Sequence, residues 1–230
     1  MEQAMMRKQS KLDAITIPPY TKGEEVFNMV SHIVGGVLGI VATVLCVVIA
    51  ARHQNGYGVV SGAIFGATMI LLYTTSSVYH GLSPRLKAKK VFRILDHCAI
   101  YLLVAGTYTP IALCTIREYD NQLGWTLCIA IWLVAIAGMI LTASKFKKFQ
   151  ILEVIIYLAM GWSVLLAKDA VLTGVGFTGL LYMLIGGIAY SIGVIFYALG
   201  KKMKYSHSIF HLFILVGSFF HFLAIVLYVM

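Results

Sequence analysis

Two histidines near the end of the sequence, His207 and His211, are four residues apart. In an α-helix this spacing places both imidazole rings on one face, where they could bind one metal ion. Two such ligands and a third histidine from another helix would form a site with one open position, the pattern of catalytic zinc. By itself a His-x-x-x-His pair is a weak signal, because the same pair can simply line the start of a helix near the membrane interface.

A second group of polar residues could complete this site. His80 is the best third ligand, and Ser76 precedes it by four residues, on the same face of a helix. Asp96 is placed to hold a metal-bound water molecule or to accept its proton. Whether these residues meet depends on the helices that carry them.

The composition indicates that those helices lie in a membrane. The chain has 230 residues, of which 60% are apolar and 12% charged, whereas about 25% of the residues of soluble domains are charged. This balance excludes an ordinary soluble enzyme, a disordered chain and a nucleic-acid-binding domain. The four cysteines lie inside apolar stretches without a Cys-x-x-Cys pair, so we interpret them as small buried residues.

Seven apolar runs are each long enough to cross a bilayer, which needs about 20 residues. Short polar links separate them, and no signal peptide is apparent because the first run is too long for one. We therefore expect an N-terminal cytoplasmic segment, residues 1–26, and a seven-helix transmembrane domain, residues 27–230. The predicted spans are 27–51, 57–81, 92–116, 123–143, 151–172, 176–199 and 206–229.

The distribution of basic residues predicts the orientation of these spans. With the N-terminus in the cytoplasm, the inner segments carry 15 Lys and Arg residues and the outer segments carry 3. Cytoplasmic segments of membrane proteins are enriched in Lys and Arg. The predicted fold is therefore an all-α integral membrane protein, a seven-transmembrane helix bundle with its N-terminus inside and its C-terminus outside.

This topology brings the polar residues to one membrane depth. His80 ends the second span, Asp96 and His97 begin the third, and His207 and His211 begin the seventh, all on the cytoplasmic side. Ionisable residues inside a bilayer are costly and usually functional. Their shared depth therefore favours a metal site over simple lining of the helix ends.

Other polar residues allow two interpretations. Glu25, Asn28 and His32 share one face of the first span, where they could support the site by hydrogen bonds or line the helix entry. His221 is about 21 Å deeper than His207 along the last helix, so we interpret it as a hydrogen-bonded buried residue.

Pro110 predicts a kink in the third span, or a lipid or water path there. Glycines 35, 36, 39, 186, 187 and 193 are expected to allow close helix packing.

The motifs together resemble the hemolysin III branch of the progestin and adipoQ receptor (PAQR) family, over residues 20 to 230. The resemblance rests on Gly23-Glu24-Glu25 with Asn28 and Ser31-His32, on Ser76-x-x-x-His80, on Asp96-His97, on the run 105–110, on the run 186–193, on His207-x-x-x-His211 and on His221.

The resemblance implies seven helices around a zinc ion near the cytoplasmic face. Its ligands would be His80, His207 and His211, with Asp96 contacting the metal through water and Ser76 as the motif serine. It also implies a role in membrane fluidity or lipid homeostasis. The related alkaline ceramidases share this metal pattern, which favours a lipid amide as substrate. The long N-terminal domain of the animal receptors is absent, so hormone signalling is not implied.

The leading hypothesis is a Zn²⁺-dependent hydrolase of lipid amides or esters in the cell membrane, with membrane lipids as its partners. Asp96 would be the general base, and Ser76 would donate a hydrogen bond to the water or to the developing oxyanion. The alternatives are a hemolysin-like pore-forming or lytic protein, a receptor or sensor with a structural zinc, and an ion transporter using Glu153, Asp169 and His221. Imidazole ligands also suit several other divalent metals.

Overall fold

The computed structural model describes residues 12, 15–146, 149–200 and 203–230. Half of the predicted cytoplasmic segment and the basic residues Lys147, Lys148, Lys201 and Lys202 lie outside these ranges. The described chain is helical and contains no strand. Its main helices are α1 (Lys22–Arg52), α2 (Gly56–Gly81), α3 (Lys87–Ile111), α4 (Asn121–Lys145), α5 (Gln150–Trp162), α6 (Lys168–Leu199) and α7 (Ser206–Tyr228).

Three short segments extend or join these helices. A π-helical segment (Ala112–Ile116) and one further turn (Arg117–Tyr119) continue α3, and a 3₁₀ segment (Ser163–Ala167) joins α5 to α6. Inside α6, Gly176 has φ 67° and ψ −179°, which interrupts the helical path. Within the described residues, six helical stretches are long and apolar enough to cross a membrane, and Gln150–Leu199 is counted as one of them. The prediction of an all-helical membrane protein is confirmed at this level.

Short polar residues begin several of the helices. Thr21 and Glu24 form a capping box at the start of α1, Asn55 accepts a hydrogen bond from the Gly58 amide at 2.8 Å, and Asp120 accepts one from the Leu123 amide at 3.0 Å. Such caps satisfy amide groups that have no partner within the helix. Because of its cap, α1 begins at Lys22, five residues before the start of the predicted span.

The side chains are distributed as a lipid environment requires. Large apolar residues point outward along the helices, including Ile140 at 64% and Leu133 at 61% exposure. Small or aromatic residues such as Ala42, Cys46 and Phe65 fill the interior. In water such an apolar exterior would be a strong liability, whereas in a bilayer it faces the lipid chains. All four cysteines are free thiols, as the sequence predicts.

Glycines allow the helices to approach closely. Of the glycines predicted to do so, Gly35 lies against the Tyr73 ring and Gly186 against His221. Among the glycines at the contact between α1 and α2, Gly66 leaves the least room, because an added Cβ would overlap Thr43 and come within 2.7 Å of its Cα. The contact therefore includes backbone, which cannot move aside as a side chain can.

The region around Pro110 has a specific local structure. The π-helical segment begins two residues after Pro110. Proline has no N–H to donate and crowds the preceding turn, and a π-helical turn adds one residue to the hydrogen-bonded loop. The two features together alter the backbone hydrogen bonding of α3 in a part of the helix that is fully buried.

We expect Gly66→Ala to destabilise the protein by about 1–3 kcal/mol, because overpacking against backbone forces helices apart. Thermal unfolding of the detergent-solubilised protein would measure this. Gly161→Ala is the matched control, since an added Cβ there would meet nothing within 4 Å, and alanine favours helix. Equal melting temperatures for the two variants would contradict the close α1–α2 contact.

Candidate metal centre

Three histidines from two helices meet at one end of the bundle. His80 lies in the last turn of α2, and His207 and His211 lie in the first two turns of α7. One ligand atom of each lies within 4.8 Å of the others, an arrangement that could hold a metal ion. The structure therefore brings together the three histidines that the sequence analysis selected. We call this group the histidine cluster.

The ring geometry suits a shared ion. The Nε2 atoms of His207 and His211 are 3.0 Å apart, close to the separation of about 3.3 Å between two nitrogen ligands on a tetrahedral zinc. The His80 ring centroid is 5.4 Å from that of His207 and 5.0 Å from that of His211. His80 Nε2 is buried without a hydrogen-bond partner. A buried polar atom with no partner is costly, so the donor set fits a metal ion.

Hydrogen bonds hold the helices that carry the cluster. Glu24 Oε1 accepts from the Tyr205 amide at 2.9 Å, which joins the start of α1 to the residue before α7. The Ser208 hydroxyl donates to Asn28 Oδ1 at 2.7 Å, between the two histidines of α7. The His32 ring stacks on His211 with 3.7 Å between centroids. The predicted polar face of α1 therefore packs directly against the cluster.

The other nitrogen of His80 has a charged partner. Its Nδ1 lies 2.6 Å from Glu25 Oε2, and Glu25 Oε1 accepts from Lys89 Nζ at 2.7 Å. This confirms for Glu25 the interpretation that the α1 face supports the site by hydrogen bonds. Lys89 is a residue that the sequence analysis missed, because it was counted only among the cytoplasmic charges. The sequence signal for a role of Lys89 at the site is its position two turns before Asp96, near the same face of α3.

The two predicted catalytic residues line a cavity beside the cluster. Asp96 interacts electrostatically with His80 and His97 and lies beside Ser76. The Ser76 hydroxyl is buried, and it makes no hydrogen bond of good geometry. Both residues are therefore placed where a bound polar group could reach them, and their catalytic roles remain predictions.

His97 is paired with Glu153 and does not belong to the histidine cluster. Its Nδ1 lies 3.0 Å from Glu153 Oε2, and the Tyr157 hydroxyl donates to its backbone carbonyl at 2.8 Å. Glu153 is 1% exposed. Nothing in the sequence spacing pairs Glu153 with His97, so the sequence suggests only ion transport as a role for Glu153.

An internal cavity of about 160 Å³ extends from the cluster into the bundle. It touches both His207 and His221, which are about 21 Å apart along α7 at 1.5 Å per residue. Between them its walls are mostly apolar, and they include Leu103, Val171, Leu180, Met183 and Ile214. The cavity is thus polar at the cluster and apolar along most of its length.

His221 lies outside the cluster, as expected. Its ring stacks on Tyr190 with 5.4 Å between centroids. However, His221 Nδ1 is buried without a partner, so the prediction that this histidine is fully hydrogen-bonded is wrong. The ring lies on the cavity wall, where it borders space instead of a polar side chain.

The segment before α1 covers the cluster. The Tyr20 ring stacks on His207 with 5.1 Å between centroids and a 16° interplanar angle. Arg93 donates to the Thr16 carbonyl, which fixes the segment to α3. Burial raises the pKa of the Tyr20 phenol, so Tyr20 is a neutral cover over the histidines. Sequence patterns could not find it, because an extended segment has no helical periodicity.

A bundle of long apolar helices around a buried histidine cluster defines a multi-pass membrane protein with a candidate metal centre. Comparison with known proteins identifies the family. Residues 20–222 match the model of the family described as Haemolysin-III related. The chain belongs to this family, which confirms the resemblance to the hemolysin III branch.

Its relatives are bacterial and animal proteins. Hemolysin-3 of Bacillus cereus is 40% identical over 210 residues, which cover 90% of this chain and 92% of the relative. The Hemolysin-3 homolog of Bacillus subtilis is 36% identical over 209 residues, covering 91% of this chain and 96% of the relative. The human monocyte to macrophage differentiation factor is 30% identical over 171 residues, covering 70% and 67% of the two chains.

We expect His211→Ala to remove a bound divalent metal from the purified protein, because two histidines of different helices cannot hold it tightly alone. Mass-spectrometric metal analysis of detergent-purified protein would show about one equivalent in the wild type and little in the variant. His53→Ala is the matched control, since His53 contacts the Met230 carbonyl and not the cluster. Equal metal content in wild type and His211→Ala would refute the site.

Proposed function

We propose that this chain is a zinc-dependent hydrolase of lipid amides or esters in the cell membrane. The observation that carries the proposal is the position of the histidine cluster at the polar end of a long apolar cavity. Three imidazoles with an open fourth position are typical of catalytic zinc. A cavity with apolar walls and a few convergent polar groups is typical of a ligand site.

The cavity favours a lipid as the substrate. An apolar chain would lie along Leu103, Leu180 and Met183, and the polar linkage would lie at the cluster, beside Ser76 and Asp96. The reverse orientation would place the polar linkage about 21 Å away near His221, where the described residues offer no second group of metal ligands. The proposed orientation therefore places the polar linkage beside the three histidines that could hold a metal.

The residues around the cluster would divide the reaction between them. His80, His207 and His211 would hold the zinc, which when bound lowers the pKa of water to about 7 and polarises a carbonyl group. Asp96 would accept the proton of the attacking water, and Ser76 would donate a hydrogen bond to the carbonyl oxygen as it gains charge. Tyr20 would limit the access of bulk water to the histidines.

We expect Asp96→Asn to lower hydrolysis by about 10²–10⁴-fold without loss of zinc, because the amide cannot accept the proton. Ser76→Ala should lower it by about 10²-fold, the cost typical of a lost oxyanion donor. Mass spectrometry of fatty acids released from a panel of N-acyl and ester lipids would measure both. Asp169→Asn and Ser144→Ala are matched controls at exposed positions.

Full activity in Asp96→Asn and in the variant lacking all three histidines would exclude this mechanism. The names of the two Bacillus relatives point to a lytic activity instead. Adding the purified protein to red blood cells distinguishes the two functions. A pore would release ions with dose dependence and a size limit whether or not zinc is present, and a hydrolase would not.

We also propose seven membrane crossings, with the N-terminus in the cytoplasm. Gln150–Leu199 has 50 residues, so as one straight helix it would be about 75 Å long, more than twice the hydrocarbon thickness of about 30 Å. The 3₁₀ segment and the break at Gly176 divide it. Two crossings that reverse near Gly176 fit this length, and they agree with the uneven distribution of basic residues.

Cysteine labelling would test this topology in a variant whose four native cysteines are replaced by alanine. An impermeant maleimide added to intact cells should label Gln122→Cys and Thr173→Cys, both on the predicted outer side. Ser83→Cys should react only after permeabilisation. If Thr173→Cys is unreactive before and after permeabilisation, residue 173 lies within the membrane, which would support six crossings. If Ser83→Cys reacts in intact cells and the other two react only after permeabilisation, the orientation is reversed.

A further inference from the structure

Lys89 is a charged side chain buried inside the bundle. It is 0% exposed, yet it lies three residues into α3, at an end of the bundle where a lysine could reach water. Its ammonium group donates to Glu25 Oε1 at 2.7 Å, to the Tyr79 carbonyl at 3.0 Å and to the Leu82 carbonyl at 2.9 Å. All three of its protons therefore have acceptors, which a buried ammonium requires.

These acceptors come from α1 and from the end of α2, the helix that carries His80. Tyr79 and Leu82 flank the end of α2, where carbonyl groups lack partners within the helix. A cation at this end also interacts favourably with the helix dipole. Because His80 lies between these two residues, the ammonium fixes the backbone that carries the ligand. Through Glu25 it also joins α1 to the same point.

Glu25 transmits this fixation to the imidazole. One carboxylate oxygen bonds Lys89 and the other lies 2.6 Å from His80 Nδ1. A carboxylate accepts hydrogen bonds, so Nδ1 carries the proton and Nε2 keeps its lone pair. His80 Nε2 is buried without a hydrogen-bond partner, and the His80 ring lies 5.4 and 5.0 Å from the rings of His207 and His211. The chain from Lys89 to Glu25 to His80 therefore selects the tautomer and ring orientation that a metal needs.

We propose that Glu25 and Lys89 are a positioning pair that sets the metal affinity of the cluster through His80. This inference rests on the metal site of the proposed function and adds residues that act on a ligand without touching the metal. Glu25 orients the imidazole, and Lys89 holds the carboxylate in place. Partners of this kind typically contribute 10–100-fold to metal affinity.

Zinc affinity, measured by competition with a chromophoric chelator in detergent, would test the pair without relying on activity. We expect Glu25→Gln to weaken zinc binding by about 10–100-fold. Lys89→Met should also weaken it. The double variant should be little weaker than the more affected single variant, because Lys89 acts through Glu25. Lys90→Met and Glu118→Gln are the matched controls, neither of which contacts the cluster.

Removing the ligand His80 distinguishes the proposed positioning role of Glu25 from a purely structural one. In a His80→Ala background, Glu25→Gln should cause no further loss of affinity, because the imidazole that it orients is gone. Cobalt substitution gives a second readout, since the visible spectrum should change in Glu25→Gln and recover partly in Glu25→Asp. If Lys89→Met does not fold, the zinc affinities of the Glu25 variants still test the proposal. Thermal unfolding of the metal-free proteins is the control for folding.

Three results would separate the two proposals. Wild-type affinity in folded Glu25→Gln would overturn the positioning pair and leave the metal site intact. An equal loss in the wild-type and His80→Ala backgrounds would also overturn it, because the effect would not pass through His80. Absence of zinc binding in the folded wild type would overturn the proposed function and the pair together.

Discussion

The cost of placing charge inside a membrane bundle constrains the whole site. An unpaired ion in an apolar interior is unstable by several kcal/mol, so each buried charge here requires an exact partner. Lys89 has three oxygen acceptors and Glu25 has two donors. Satisfying them requires α1, α2 and α3 to meet at one end of the bundle. The histidine cluster lies where this junction meets α7, and the same hydrogen bonds place its ligand His80.

The sequence predicts the helices well because length and hydropathy decide them. In a bilayer every backbone group must be paired within the segment, so a long apolar run has no stable alternative to a helix. The first residue of each helix is less predictable. Hydropathy places the first span at residue 27, but the Thr21–Glu24 capping box begins α1 at Lys22, because two polar glutamates still join the helix. Within Gln150–Leu199, the predicted boundary between residues 172 and 176 lies beside the break at Gly176, whereas nothing in the hydropathy predicts the 3₁₀ segment Ser163–Ala167.

The metal ligands were predictable for a different reason. The spacing of His207 and His211 fixes their shared face, and membrane topology fixes the depth of His80. Their supporting partners follow neither rule. Lys89 resembles an ordinary interfacial lysine until its acceptors are seen, and Glu153 is 56 residues from His97 in sequence. Tyr20 reaches the cluster from an extended segment. These contacts arise from tertiary packing, which sequence periodicity does not encode.

The position of the cluster also explains how a polar site can exist in so apolar a protein. Because the histidines lie at helix ends, their charged partners need not lie at the centre of the bilayer, where the cost is highest. The cavity then extends inward from the cluster along apolar walls. Tyr20 covers the histidines on the side of the N-terminal segment. A molecule with one polar linkage and a long apolar chain would match both the cluster and these apolar walls, whereas a small polar solute would not match the walls.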